Sequence, residues 1–275
     1  MRQAGRTDGR RGDGHVVTDR LAQAVRQQLG LGRVLPLGGP ADGAWITERA
    51  ASGVLRRAAD ALPGVRLGRL RVAARDSGPA ADPSAPSVPP VPPPPSALPP
   101  GPLRIEADFA ATADQPLPTT AGLLRDALRA AAVDRLGLTV DTVDLHITSL
   151  LDGGGDTGTA AAGGADENAE PTGPSADTAF PPGGARTETA AIEDAALSVP
   201  GVTRLAPALG GPAAHAVRTE PADRHVQLQL AVSADHRALT AALAARDAVA
   251  AAASSPDGPV TVAVLVTAID DDAEV

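Results

Sequence analysis

A near-repeat is the sequence feature that most constrains the fold. Residues 61–70 read ALPGVRLGRL, and residues 197–206 read LSVPGVTRLA. Each phrase follows an alanine-rich amphipathic stretch and places Pro-Gly-Val where a helix would end, because the residue before proline disfavours helix and glycine accepts a left-handed conformation. We interpret the two phrases as the helix-to-strand joints of a duplicated unit. The predicted turn residues are Pro63, Gly64 and Val65, and Pro200, Gly201 and Val202.

The order of the elements around these phrases supports a duplication. Each copy reads helix, Pro-Gly-Val turn, short strand, long strand, helix, strand. Alternation in LRIEADFA (103–110) and HVQLQLAV (225–232) predicts strands with one buried face. The last stretch, PVTVAVLVTAI (259–269), is apolar on both faces and predicts a central strand covered on both sides. The predicted fold class is α+β, with two copies of a small, helix-covered mixed β-sheet domain.

Low-complexity segments set the predicted domain boundaries. Residues 79–102 contain 12 prolines, which favour an extended spacer, and residues 153–186 are rich in glycine, alanine and acids, as flexible linkers are. We predict a disordered Arg-rich tail at 1–18 and a short amphipathic helix and glycine-punctuated loop at 19–43. A first domain at 44–152, interrupted by a Pro-rich insert at 76–102, precedes an acidic disordered linker at 153–186. A second domain at 187–270 and an acidic tail at 271–275 complete the chain.

Composition limits both the core and the chemistry. The aromatic residues are Trp45, Phe109 and Phe180, so the core must be built from aliphatic side chains. The absence of cysteine excludes disulfides, thiolate catalysis and cysteine zinc sites. All 24 basic residues are arginine, and alanine, glycine and proline are abundant. This bias indicates a GC-rich genome, such as that of an actinobacterium.

The net charge of −9 is unevenly distributed. Residues 1–75 carry +8 and residues 76–275 carry −17. One interpretation is a solvated helix face followed by acidic linkers. The other is an N-terminal quarter that contacts anionic lipid, nucleic acid or an acidic partner. A predicted docking helix at 19–29 would present Leu21, Val25 and Leu29 on one face, with Arg20 and Arg26 beside them.

No residue pattern predicts catalysis, a metal or a cofactor. The glycines match neither a dinucleotide-binding nor a phosphate-binding loop. Ser233, Asp235 and His236 are neighbours in SADHR, but we interpret this stretch as a polar turn capped by Asp235 rather than a catalytic triad. The carboxylates of residues 270–274 are interpreted as a solubilising tail rather than a cation site. No metal-binding spacing relates the histidines, which are His15, His146, His215, His225 and His236.

Two segments carry a family resemblance. ITERAASGVLRRAADALPGVRLGRL (46–70) and the span from LRIEADFA (103–110) to VDLHITSL (143–150) resemble the alkaline-shock, or Gls-type, envelope stress response family. The second copy, at 187–270, matches more weakly. The whole chain also resembles an uncharacterised actinobacterial family labelled after a nucleopolyhedrovirus protein. The resemblance implies a non-enzymatic cytoplasmic protein linked to the envelope, often through a membrane-anchored partner.

These observations lead to one expected function and one alternative. We expect a non-enzymatic interaction or scaffold protein that binds a protein partner or itself, because small sheets expose an edge that can pair. We expect it in the cytoplasm, with peripheral contact at the inner face of the membrane as a further expectation. No apolar run reaches the length of a membrane span. The alternative is a soluble regulator that binds nucleic acid or a small ligand through its basic N-terminal quarter.

Overall fold

The computed structural model describes residues 32–75, 91–151, 183–208, 215–220, 224–253 and 260–271. The predicted tail at 1–18, the predicted docking helix at 19–29 and most of the predicted acidic linker therefore lie outside the described residues. The α-helices in these residues are α1 (Glu48–Asp60), α2 (Leu117–Ala130), α3 (Gly183–Leu197) and α4 (Ala238–Ala252), and a π-helical segment, Ala131–Leu136, continues α2. The strands are β1 (Val34–Leu37), β2 (Ala44–Thr47), β3 (Val65–Ala74), β4 (Leu103–Thr112), β5 (Val140–Leu151), β6 (Val202–Leu205), β7 (Val217–Glu220), β8 (His225–Ser233) and β9 (Thr261–Asp270).

The fold is α+β, as predicted, with two mixed sheets. The small sheet has the order β3-β4-β5, in which β3 and β4 are antiparallel and β4 and β5 are parallel. The large sheet has the order β1-β2-β9-β8-β6, and β7 pairs with β8 beside β6. Helix α2 connects β4 to β5, and α4 connects β8 to β9, because a parallel pair needs a long crossover.

The two halves share one order of elements and one set of pairings. The series α1-β3-β4-α2-β5 corresponds to α3-β6-β8-α4-β9, and in each the first strand pair is antiparallel and the second is parallel. The predicted facing also agrees. Ile105 and Phe109 on β4 and Leu228 and Leu230 on β8 are all fully buried. The second half contains in addition β7, between β6 and β8, and the duplication remains a prediction.

Both Pro-Gly-Val segments join a helix to a strand with the same geometry. Gly64 and Gly201 adopt left-handed φ values of 72° and 89°, which favour glycine. The carbonyl of Gly64 accepts a hydrogen bond from the backbone N–H of Thr112 at 2.9 Å, and that of Gly201 accepts one from Ser233 at 2.8 Å. Each joint therefore ties the start of the strand that follows the helix, β3 or β6, to the end of the neighbouring strand, β4 or β8.

The predicted loop in 19–43 is wrong over its last part, which contains β1 and the turn that leads to β2. These two strands form an antiparallel hairpin, and β2 pairs in parallel with β9 near the C-terminus. The hairpin precedes the first copy in sequence but belongs to the sheet of the second. Gly38 donates a backbone hydrogen bond to the Gly137 carbonyl at 3.1 Å, and Arg246 Nη1 donates to the Asp42 carbonyl at 2.8 Å, so the turn is held against both halves.

The described end of the Pro-rich insert is packed against the large sheet instead of acting as a spacer. Leu98 donates a backbone hydrogen bond to the Val34 carbonyl at 2.8 Å. Val91 is buried in a small cluster with Trp45 and Leu265 on the outer face of that sheet. Because Val264 and Val266 of β9 are buried in the main core, β9 is covered on both faces, as predicted. The predicted acidic linker, 153–186, extends too far at its C-terminal end, because α3 begins at Gly183.

A single contiguous core joins the two sheets through the helices. Helix α1 contacts both β3 and β9. Its N-terminal cap is Thr47, whose hydroxyl accepts from the Ala50 N–H at 3.3 Å and donates to the Thr267 carbonyl of β9 at 3.2 Å. The division into domains at 44–152 and 187–270 remains a prediction, and the first helix is anchored in the sheet of the second half.

Candidate functional site

Strand β5 forms one edge of the small sheet. Within the described residues it pairs with β4 on one side and with no strand on the other. Guanidinium groups of α2 cover the first part of this edge: Arg129 Nη2 donates to the Asp141 carbonyl and Arg125 Nε to the Val143 carbonyl, both at 3.3 Å. An edge protected in this way is a poor template for another strand.

The second part of the β5 edge is exposed. All five residues from 146 to 150 are exposed, including Ile147 at 41% and Leu150 at 59%. The register partner of Ile147 on β4 is Phe109, which is fully buried. Ile147 is nevertheless exposed because the contacts that α2 makes with this edge are at Asp141 and Val143, at the other end of the strand.

The exposed part of β5 carries neither the charged side chains nor the proline that commonly protect an edge strand. Residues 145–151 read LHITSLL and contain no proline, carboxylate or guanidinium group. Natural edge strands are commonly protected by charged side chains, proline or bulges. The pairing of β5 with β4 does shift register between Ile147 and Ser149. The side chains around that shift are nevertheless neutral hydroxyl or aliphatic groups, apart from His146.

A second feature is an arginine groove on the solvent face of the small sheet. The groove has a volume of about 680 Å³ and is lined mainly by polar and charged side chains. Its guanidinium groups come from Arg33 before β1, Arg71 on β3, Arg75 after β3 and Arg104 on β4. Both halves of the fold thus contribute, since Arg33 precedes the hairpin of the large sheet.

The carboxylate of Asp270 joins the end of β9 to β6 through hydrogen bonds. Asp270 accepts two hydrogen bonds from Arg204, each 3.0 Å long, and one from the Thr203 hydroxyl at 2.7 Å. Burial would by itself raise the pKa of Asp270, but the hydrogen bonds from Thr203 and Arg204 and the positive charge of Arg204 outweigh it and lower the pKa below its ordinary value of 3.8. Asp270 therefore belongs to the fold and not to a solubilising tail.

We predict that Asp270→Asn lowers the free energy of unfolding by about 1–2 kcal/mol at neutral pH, because charge-assisted hydrogen bonds are lost. Since folding lowers the pKa of Asp270, its contribution is complete above pH 3.8 and is lost as the pH falls through the folded-state pKa. Urea unfolding at several pH values should show the difference between variant and wild type shrinking toward acid pH.

The control for this prediction is Asp271→Asn. Asp271 is 66% exposed and makes one ion pair, at 3.3 Å, with Arg57. An exposed pair of this kind contributes less than about 1 kcal/mol. Equal losses in the Asp270 and Asp271 variants, or a difference that does not depend on pH, would contradict the role assigned to Asp270.

The histidines do not converge on a site. His225 is buried at the start of β8, with Nδ1 2.9 Å from the Thr261 hydroxyl. His146, His215 and His236 are exposed, and His15 lies outside the described residues. No group of three histidine or carboxylate side chains in the described ranges is placed to hold a metal ion.

The SADHR stretch is a turn, but its capping differs from the prediction. The N-terminal cap of α4 is Arg237, not Asp235, and it makes no side-chain capping bond. The Ser233 hydroxyl instead accepts from the Asp235 backbone N–H at 3.2 Å. The hydroxyl is thus used in a local turn and not as a nucleophile beside a base.

Sequence reasoning located some of these features and missed others. It named the six turn residues, which lie at the two joints between helix and strand. The docking helix with Leu21, Val25, Leu29, Arg20 and Arg26 lies outside the described residues and remains a prediction. The arginine groove was missed, although the four arginines within VRLGRLRVAAR (65–75) are the signal that could have found its β3 part. None of the helices in the described ranges is both long enough and apolar enough to cross a bilayer.

No protein-family model and no curated protein matches the chain. Among solved structures, the chain is similar to the C-terminal domain of MamM. A double variant of that domain is 15% identical, with 36% of this chain and 93% of that domain covered at a TM-score of 0.23. A single variant is 14% identical, with 37% and 98% covered at 0.23. A cadmium form is 16% identical, with 36% and 93% covered at 0.22. At such TM-scores the likeness carries no argument.

Proposed function

We propose that this chain is a non-catalytic interaction protein that self-associates through the exposed edge of β5. The observation that carries the proposal is the unprotected stretch from Leu145 to Leu151, in which two large apolar side chains are exposed beside an edge that no described strand covers. An edge of this kind can add a strand from another chain, with main-chain hydrogen bonds giving affinity and side chains giving specificity.

A second copy of the same strand fits this edge. Two β5 edges that meet antiparallel about a two-fold axis form an isologous interface, in which each residue meets its counterpart in reverse order. Like charges directly opposite one another destabilise such pairs. Because residues 145–151 contain no acid and no arginine, self-pairing incurs no such cost. Ile147 and Leu150 from both copies would add apolar contact beside the new strand pair.

The resemblance to the alkaline-shock family supports the non-catalytic part of the proposal and suggests the setting. Association with the inner side of the envelope, directly or through a membrane-anchored partner, is part of what we propose. The predicted docking helix at 19–29 would provide a weak peripheral contact, because a short helix with a narrow apolar face needs a second anchor for stable binding. A self-associated chain presents two such helices and gains from their effective concentration.

Charged substitutions at the exposed edge should dissociate the assembly. We predict that wild-type protein forms a dimer whose population rises with concentration in sedimentation velocity. The Ile147→Lys/Leu150→Lys double variant should remain monomeric, because lysine on an edge strand prevents pairing. Both positions are solvent-exposed in the monomer, so the variant should keep the wild-type circular dichroism spectrum.

The matched control is Leu197→Lys. Leu197 is 45% exposed, at the end of α3 and away from β5 in the topology, so the variant should dimerise like wild type. A wild-type chain that stays monomeric across the concentration series would contradict the proposal. So would dimerisation that survives the double substitution.

A further inference from the structure

Within the described residues, two of the four arginines in the arginine groove form ion pairs with carboxylates, and the other two do not. Arg75 forms an ion pair with Asp141 at 2.5 Å, and Arg104 forms ion pairs with Asp144 at 2.6 Å and Glu106 at 3.3 Å. These ion pairs hold the guanidinium groups of Arg75 and Arg104 in place. No ion pair joins Arg33 or Arg71 to a carboxylate within the part of the chain that the structure describes, although both line the same groove.

The fold holds Arg33 and Arg71 close together through Glu48. One carboxylate oxygen of Glu48 accepts from the Arg33 backbone N–H at 3.2 Å, and the other accepts from the Val72 backbone N–H at 3.1 Å. A single carboxylate therefore joins the segment before β1 to the edge of β3, next to Arg71. The carboxylate of Glu48 accepts hydrogen bonds from these backbone groups, and within the described residues no ion pair joins it to the guanidinium group of Arg33 or Arg71.

Arg33 and Arg71 place two positive charges in one groove without an ion pair to either of them from the described part of the chain. Their mutual repulsion costs electrostatic free energy, which a bound anion would offset. Guanidinium groups bind phosphate through pairs of parallel hydrogen bonds, so each free arginine can hold one phosphate group. Among the described residues, the lining contains no aromatic side chain and one large aliphatic side chain, Leu98, so these residues offer a base or an acyl chain no stacking surface and little apolar surface. These features favour a compact anion with several charges.

We propose that the arginine groove binds a compact oxyanion with at least two phosphate groups, held by Arg33 and Arg71 and flanked by Arg75 and Arg104. Two carboxylates also line the groove, Glu106, which is the register partner of Arg71, and Asp144. Both form ion pairs with Arg104, and the four arginines leave the lining with a net positive charge. The groove is distinct from the exposed stretch 145–151 of β5, so binding is independent of the self-association proposed above.

Inorganic tripolyphosphate is the probe that tests this site. In titration calorimetry on the full chain at low ionic strength, wild-type protein should bind one tripolyphosphate per chain. Arg33→Ala and Arg71→Ala should each weaken binding about tenfold, because each removes one charge-assisted contact. Raising the salt concentration should weaken wild-type binding, as expected for a partly exposed ionic site.

The matched control is Arg66→Ala, which removes an arginine from the same strand at an exposed position outside the groove. It should bind tripolyphosphate like wild type. Thermal unfolding of each variant without ligand checks that the fold is retained.

Three outcomes would overturn the proposal. The first is the absence of tripolyphosphate binding. The second is an equal loss of affinity in the Arg66 and Arg71 variants, which would indicate a diffuse charge effect. The third is binding to vesicles with anionic phospholipid but not to tripolyphosphate, which would assign the groove to a membrane surface.

Discussion

Phe109→Ala should lower the free energy of unfolding by about 3–5 kcal/mol, the range for truncating a large buried aromatic side chain. Phe109 is completely buried on β4, the central strand of the small sheet. It is one of only two phenylalanines in the chain, and its neighbours in the core are mostly alanine, leucine and valine. Side chains of this size cannot collapse far enough to fill the space that a phenyl ring leaves.

Urea unfolding followed by circular dichroism measures this effect, with Leu123→Ala as the control. Leu123 lies on α2 and is 49% exposed, so its truncation should change stability by no more than about 0.5 kcal/mol. A loss below about 1 kcal/mol at Phe109 would mean that the small sheet does not contribute to the cooperative core.

Gly201→Ala should lower the free energy of unfolding by about 2–4 kcal/mol. The left-handed φ of 89° disfavours a side chain by about 1–2 kcal/mol. A new Cβ would also lie 2.6 Å from Cγ and 2.8 Å from Cβ of His236, and such overpacking costs about 1–3 kcal/mol. Cβ of His236 is fixed by the backbone, so rotation of the imidazole cannot relieve the whole clash.

Two further variants separate these contributions. His236→Ala combined with Gly201→Ala should recover part of the steric loss and none of the loss due to φ. Gly122→Ala, in α2, has no positive φ and no heavy atom within 4 Å of the new Cβ, so it should stabilise the protein by about 0.5–1 kcal/mol. If the Gly201 and Gly122 variants unfold at the same urea concentration, the joint is not constrained as described.

Elements defined by local periodicity could be predicted from the sequence. Alternation over 103–110 and 225–232 identified β4 and β8. The two Pro-Gly-Val phrases identified the joints between helix and strand, where Gly64 and Gly201 have left-handed φ values. In each case the physical signal is contained in fewer than about twenty neighbouring residues.

Features that depend on distant partners could not be predicted in this way. Strand β1 has four residues and contains Pro36, and a glycine-rich turn leads from it to β2, so local rules favour a loop. β1 is a strand because it pairs with β2, and β2 in turn pairs with β9 of the large sheet. The exposure of Ile147 and the grouping of the groove arginines depend in the same way on where α2 and Glu48 lie in three dimensions.

The pairing of β2 with β9 also determines when the fold can be completed. The two strands are linked by the hydrogen bond between Thr47 and Thr267, which are 220 residues apart in sequence. At about 5–20 residues per second, a ribosome needs roughly 10–40 s to synthesise that span. During this time the β1–β2 hairpin, with Trp45 and Ile46, lacks β9, the strand that buries it. The large sheet therefore closes only after translation of β9, and an exposed apolar hairpin must be kept from neighbouring nascent chains until then.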